Sequence, residues 1–156
     1  MKATIIEIKA RCAEPEKIRR ILEGLDADFK GIDHQVDTYF KVPKGRLKLR
    51  EGNIENTLIQ YHRHNQAGPK KSEVSFFRTK AGTALGDVLG HALDILTKVD
   101  KQRAIYFVDN VKFHIDEVVG LGSFMEIEAI DETGVRTEAQ LLEQCQYYQI
   151  FFAYAK

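Results

Sequence analysis

The first clear pattern in the chain is an alternation. Residues 4 to 11 read Thr-Ile-Ile-Glu-Ile-Lys-Ala-Arg. Strand side chains alternate between two faces, so Glu7, Lys9 and Arg11 share one face and Ile6, Ile8 and Ala10 the other. The arrangement recurs along the chain. Segment 31–40 puts Asp33, Gln35, Asp37 and Tyr39 on one side, and segment 46–50 sets Arg46, Lys48 and Arg50 against two leucines. Further strands are predicted at 57–63, through Val74, Phe76 and Phe77, and at 99–108 with Lys101 and Arg103 on one face. Two more follow at 111–118, with Lys112, His114 and Asp116, and at 123–129, with Glu126 and Glu128. Pro43-Lys44-Gly45, the Gly52 to Asn56 stretch, Asn65 to Pro69 and Gly120-Leu121-Gly122 mark the turns.

Three segments have helical spacing instead. Pro15 and the acids around it suit a helix start, and Ile18, Ile21, Leu22 and Leu25 continue it to about 26. A second helix is predicted over 83–97, its apolar stripe running from Leu85 to Leu96, although Gly86 and Gly90 weaken it. A third starts at a Thr137–Gln140 capping box and runs to about Tyr148, with Phe151 and Phe152 closing over the core. Roughly eight mostly antiparallel strands with three helices predict one α+β domain over 1–156, without repeats or linkers.

Composition narrows the picture. The 156 residues include 23 basic and 23 acidic side chains, so no bulk attraction to polyanions is expected and nucleic acid is an unlikely partner. Cys12 and Cys145 lie far apart, outside any CxxC, and are expected to be inert thiols of a reducing compartment. No apolar run approaches about 18 residues and no leader pattern opens the chain, so a cytoplasmic location without membrane attachment is expected.

The candidate chemistry lies on the polar strand faces. Their cations are Lys9, Arg11, Arg46, Lys48, Arg50, Arg63, Lys101 and Arg103; their acids are Glu7, Asp116, Glu126 and Glu128. If the sheet curls, these faces line a channel: many cations suit a polyphosphate, and clustered hard oxygens suit Mg²⁺ or Mn²⁺. If it stays open, the same pattern is a solvated face with cross-strand ion pairs. Walker loop, dinucleotide fingerprint and nucleophile elbow are all absent.

Several segments, in order, resemble CYTH proteins, the triphosphate tunnel metalloenzymes. They are Glu7-Ile8-Lys9, Asp37-Thr38-Tyr39-Phe40, Gly45-Arg46-Leu47-Lys48-Leu49-Arg50-Glu51, Gly68-Pro69-Lys70-Lys71-Ser72, Val99 to Tyr106, and Asp116 to Glu128. The Gly-Pro-Lys-Lys-Ser loop is similar to the class IV adenylyl cyclase branch. The resemblance implies an eight-stranded antiparallel tunnel, a closed or half-open barrel with flanking helices. It implies a nucleoside or inorganic triphosphate held by Lys9, Arg11, Lys48, Arg50, Arg63, Lys101 and Arg103, with Lys9, Lys101 and Arg103 catalytic. It implies Mg²⁺ or Mn²⁺ on Glu7, Asp116, Glu126 and Glu128, and a homodimer is common in the family. Expected reactions are ATP to cyclic AMP and pyrophosphate, or triphosphate hydrolysis. One departure stands out: Ile5 replaces the first Glu of the family's Glu-x-Glu-x-Lys motif, which also admits a module that binds triphosphate without turnover.

The remaining singled-out residues have plainer readings. His62 and His64 share a face and lack an evident third ligand, so surface histidines are expected. A structural hydrogen bond is expected for His114. Tyr39 packs at the core or faces the lumen, and Lys70 and Lys71 belong to a solvated loop or cover the tunnel mouth.

Overall fold

The computed structural model describes residues 1–154. Eleven elements follow in the order β1 (Lys2–Arg11), α1 (Pro15–Gly24), β2 (Asp28–Phe40), β3 (Arg46–Gly52), β4 (Asn56–Arg63), β5 (Lys70–Arg78), α2 (Leu85–Leu93), β6 (Ile95–Val108), β7 (Val111–Val118), β8 (Gly122–Asp131) and α3 (Glu138–Tyr154). All pairings are antiparallel, and the order β1-β5-β4-β3-β2-β6-β7-β8 closes because β8 also pairs with β1. The sheet is therefore a closed barrel, and one face of each strand looks into its lumen.

The main core lies outside the barrel, between one side of its wall and two helices. Ile6, Ala104, Tyr106, Val111, Phe113, Ile115, Ile127 and Ala129 meet Leu22 of α1 and Leu141, Cys145 and Phe152 of α3. Phe113 receives Tyr148 and Phe152 edge-on, at centroid distances of 4.9 and 5.7 Å. Burying each large side chain here contributes about 1.5–3 kcal/mol, which fixes this half of the wall as a rigid support. Both cysteines are buried free thiols, and burial, with Glu7 and Glu128 nearby, pushes Cys145 up to about 12.

Several element boundaries differ from expectation; β6, for example, begins at Ile95 rather than 99. α2 ends at Leu93, not 97, because Asp94 takes φ 61° and Ile95 enters the sheet opposite Phe40. The ladder hydrogen bonds prevail over a helix already weakened by two glycines. α3 runs to Tyr154, past the expected 148, because Phe152 must reach the core. β2 begins at Asp28 rather than 31, with a bulge between Phe29 and Gly31 opposite β6. The capping box forms as read: Thr137 N–H donates to Gln140 Oε1 at 2.8 Å and Gln140 N–H to Thr137 Oγ1 at 3.2 Å. Among the described residues, no helix is long and apolar enough to cross a membrane.

Candidate functional site: an ionic lumen

The inward faces surround a cavity of about 230 Å³. One wall is built on Asp37 of β2, which is fully buried. Its carboxylate accepts from Arg50 Nε and Nη2, each at 2.9 Å, and from Lys101 Nζ at 2.8 Å, with Lys48 Nζ 3.9 Å away. The register explains the convergence: Asp37 pairs with Arg50 on β3, and Gln35, two residues before it, pairs with Lys101 on β6. Burial alone would raise the Asp37 pKa; Arg50, Lys48 and Lys101 overcome that and hold it well below the usual carboxylate range.

The cations themselves are crowded. Burial, then the Arg50 charge, brings Lys48 down to about 7; burial, then Arg103 and Arg50, brings Lys101 down to about 8. Lys48 also sits over the rings of Tyr39 and Tyr61, 5.7 and 5.4 Å from their centroids. Deep in the barrel, Arg103 donates two hydrogen bonds to Asp116, both 2.8 Å, and a third to Glu126 at 3.2 Å.

Carboxylates gather on β1 and β8. Glu7 and Glu128 are direct cross-strand partners, and Glu126 pairs with Lys9. Burial, reinforced by the charges of Glu128 and Glu126, raises Glu7 to about 7. Arg63 Nη2 forms an ion pair with Glu7 at 2.7 Å, and Lys9 Nζ lies 3.6 Å from Glu126. His114, Glu126 and Glu128 each offer a ligand atom within 4.8 Å of the others. Burial, then the Arg103 charge, lowers the His114 pKa, so its neutral ring donates from Nδ1 to Glu126 at 2.8 Å. The buried Nε2 atom has no hydrogen-bond partner. Three carboxylates crowded closely enough that Glu128 and Glu126 help raise Glu7, beside a neutral imidazole, fit a hard divalent cation; Glu7, Glu126 and Glu128 are the groups that could hold it, with His114 orienting Glu126.

A matching family covers this barrel: residues 3–148 fit the CYTH domain family. The chain belongs to the CYTH domain family. Solved structures with the same fold include the PH1012 protein of Pyrococcus horikoshii, 26% identical over 91% of this chain and 88% of that one, with TM-score 0.72. A candidate adenylate cyclase from Vibrio parahaemolyticus is 18% identical over 97% and 87%, TM-score 0.71. A candidate adenylyl cyclase from Hippeastrum, described with a dominant triphosphatase activity, is 17% identical over 96% and 89%, TM-score 0.55. No curated protein sequence matches.

In this CYTH barrel the cavity wall includes Glu7, Lys9, Lys48, Arg50, Arg63, Lys101, Arg103, Glu126 and Glu128. Three other residues from the polar faces stand apart. Arg11 is exposed at the end of β1, where it donates to Leu121 O at 3.0 Å and lies over Phe124. Asp116 is fully buried behind the wall with both oxygens on Arg103, so it steadies that guanidinium. Arg46 is exposed at the mouth. Tyr39 lines the lumen, His62 and His64 are exposed, and His114 bonds Glu126 rather than Asp116. Lys71 leaves the mouth and ties β5 to α3 through Glu138 at 2.8 Å.

Sequence reading missed Asp37, Lys112 and Glu55 as parts of the site. Asp37 and Lys112 were legible as members of the polar faces, though not as partners. Glu55 had no periodic signal, because it sits in the β3–β4 turn. Asp33 fixes that turn by accepting from the N–H groups of Asn53, Ile54 and Glu55 at 2.6–2.9 Å. Gly52 permits the approach: an added Cβ there would meet the Asp33 carboxylate at 2.7 Å. Glu55 thereby reaches across the lumen to Lys112 at 2.5 Å.

Proposed function

We propose that the lumen binds a triphosphate together with Mg²⁺ or Mn²⁺ and acts on it as a class IV adenylyl cyclase does, converting ATP to cyclic AMP and pyrophosphate. The carrying observation is the barrel lumen in which Lys48, Arg50 and Lys101 converge on Asp37, Glu7, Glu126 and Glu128 gather on β1 and β8, and Arg103 reaches both Asp116 and Glu126. In this reading Lys9, Lys48, Arg50, Arg63, Lys101 and Arg103 hold the phosphates, and the Asp37 and Asp116 pairs keep the guanidiniums aimed inward. The bound divalent ion would supply Lewis-acid polarisation of the phosphoryl oxygens from the carboxylate side. The ribose 3′ hydroxyl gives its proton to solvent water, its oxygen bonds to the α-phosphorus, and the bond to pyrophosphate breaks. Lys101 and Arg103 stabilise the charge that develops on the departing pyrophosphate.

A triphosphatase is the second reading, favoured by the fold shared with the Hippeastrum protein and its dominant triphosphatase activity. Water then attacks the terminal phosphorus in the same cation field. Incubation of the full chain with ATP and Mn²⁺, followed by nucleotide separation, distinguishes them. Cyclic AMP with pyrophosphate supports the cyclase; ADP with phosphate supports the triphosphatase. Tight triphosphate binding without turnover in either metal would leave a binding module, and no binding at all would sink the reading of the lumen.

A further inference from the structure

Closure of the barrel does not use all of β6. On one side the strand pairs with β2 along its length, from Phe107 opposite Asp28 to Ile95 opposite Phe40. On the other side β7 stops at Val118, opposite Lys101. A single bond follows, from Val119 N–H to Asp100 O at 2.9 Å. Residues 95–99 therefore have one paired edge and one open edge. In an antiparallel ladder a residue sends both backbone groups to the same neighbour, and successive residues alternate between neighbours. Asp100 faces the β7 side, so Lys98 points its N–H and C=O there too, with no strand to meet them.

The side chains along this edge are exposed as well. Ile95 is 45% exposed and Leu96 63%; Val119, at the adjoining end of β7, is 73% exposed. Leu96 is the extra residue of a bulge, since Thr97 lies opposite Tyr39 and Ile95 opposite Phe40. Lys98 shares a face with Asp100, but His34 Nε2 holds that acid at 2.7 Å. Among the described residues Lys98 has no ion-pair partner. The overhang thus offers main-chain donors and acceptors, aliphatic surface and one uncommitted cation.

An open edge is a template for another strand. A second copy of this chain leaves the cation unsatisfied. In the two-fold registers that stay within 95–99, Lys98 meets either itself or Leu96, never an acid, and like charges directly opposite are destabilising. We propose that this overhang is a docking edge for an extended segment of a partner protein, one with an acidic residue opposite Lys98 and aliphatic residues beside it. The segment adds as a strand beyond the end of β7 and exchanges N–H and C=O bonds with Lys98. Its carboxylate pairs with the Lys98 ammonium, and its aliphatic neighbours cover Leu96 and Val99. The lumen and its substrate play no part in this contact.

The test is anisotropy titration of a labelled acetyl-Thr-Val-Glu-Val-Leu-Thr-amide peptide with the full chain, wild type and Lys98→Glu. Wild type should bind it saturably. Lys98→Glu should weaken it by about tenfold and favour instead the peptide with lysine in place of glutamate. Methylating the glutamate's own amide nitrogen should weaken wild-type binding by about tenfold as well, because it removes a main-chain donor. The peptide should also slow hydrogen exchange of the Lys98 amide, while the Val99 amide, which already faces β2, changes little. Binding that ignores either the charge swap or the methylation, or no binding by wild type, overturns the proposal. So does self-association of the free chain that protects the Lys98 amide, which would make a second copy the occupant.

Discussion

Glu126 accepts from Arg103 and His114 and faces Lys9. Burial alone would raise its pKa; the His114 hydrogen bond and the Arg103 and Lys9 charges hold it well below the ordinary range. Glu126→Gln should therefore lower metal-dependent turnover by at least about 100-fold. It should also lower stability by about 1–3 kcal/mol, since two buried donors, Arg103 and His114, lose an anion; paired turnover assays and urea unfolding read both effects. Lys48 works in the opposite sense. Its value falls from 10.5 when unfolded to about 7 in the barrel, chiefly through burial. Between those values the unfolded chain binds the extra proton, so this residue's contribution to stability improves as pH rises through the window and is worst below about 7. Lys48→Met should stabilise the unliganded protein at pH 7 and do so much less at pH 10, while weakening triphosphate binding. A urea midpoint that falls at pH 7 would contradict the cation crowding inferred here.

Elements place these residues with different degrees of insistence. The β3–β4 turn depends on one buried carboxylate, since Asp33 takes three backbone donors and the Gln35 amide at 2.8 Å. Asp33→Asn should cost about 2–3 kcal/mol in urea unfolding and free Glu55 from its fixed reach. Helix α3 depends on its last turns. Phe152→Ala removes a ring packed on Phe113 and should cost about 3–5 kcal/mol by the same measurement. The Thr137–Gln140 cap was legible because capping is local chemistry. The end of α2 was not: Asp94 turns the chain only because Phe40 waits across the sheet for Ile95.

At the scale of the whole molecule, the lumen is a store of balanced charge. Without ligand, Lys48, Arg50 and Lys101 lean on Asp37, Arg103 on Asp116, Lys112 on Glu55 and Arg63 on Glu7. A divalent ion at the carboxylate side would release Lys9 and Arg63 from their acids and make the field more positive. Metal and triphosphate should therefore bind with positive coupling. Calorimetric titrations of ATP with and without EDTA should differ by about tenfold or more, with the tighter binding when metal is present. By itself the sequence determined the eight alternating strands, the three helices, and the residues that can share an ionic face, because period and local capping are written in neighbouring residues. It left open whether those faces meet water or one another. Only closure of β8 onto β1 decided that, and with it the position of Arg103 against Asp116 rather than bulk solvent, the exile of Arg11 to the rim and the inward reach of Glu55. Those relations join residues distant along the chain, and no local pattern encodes a register between strands that have yet to pair.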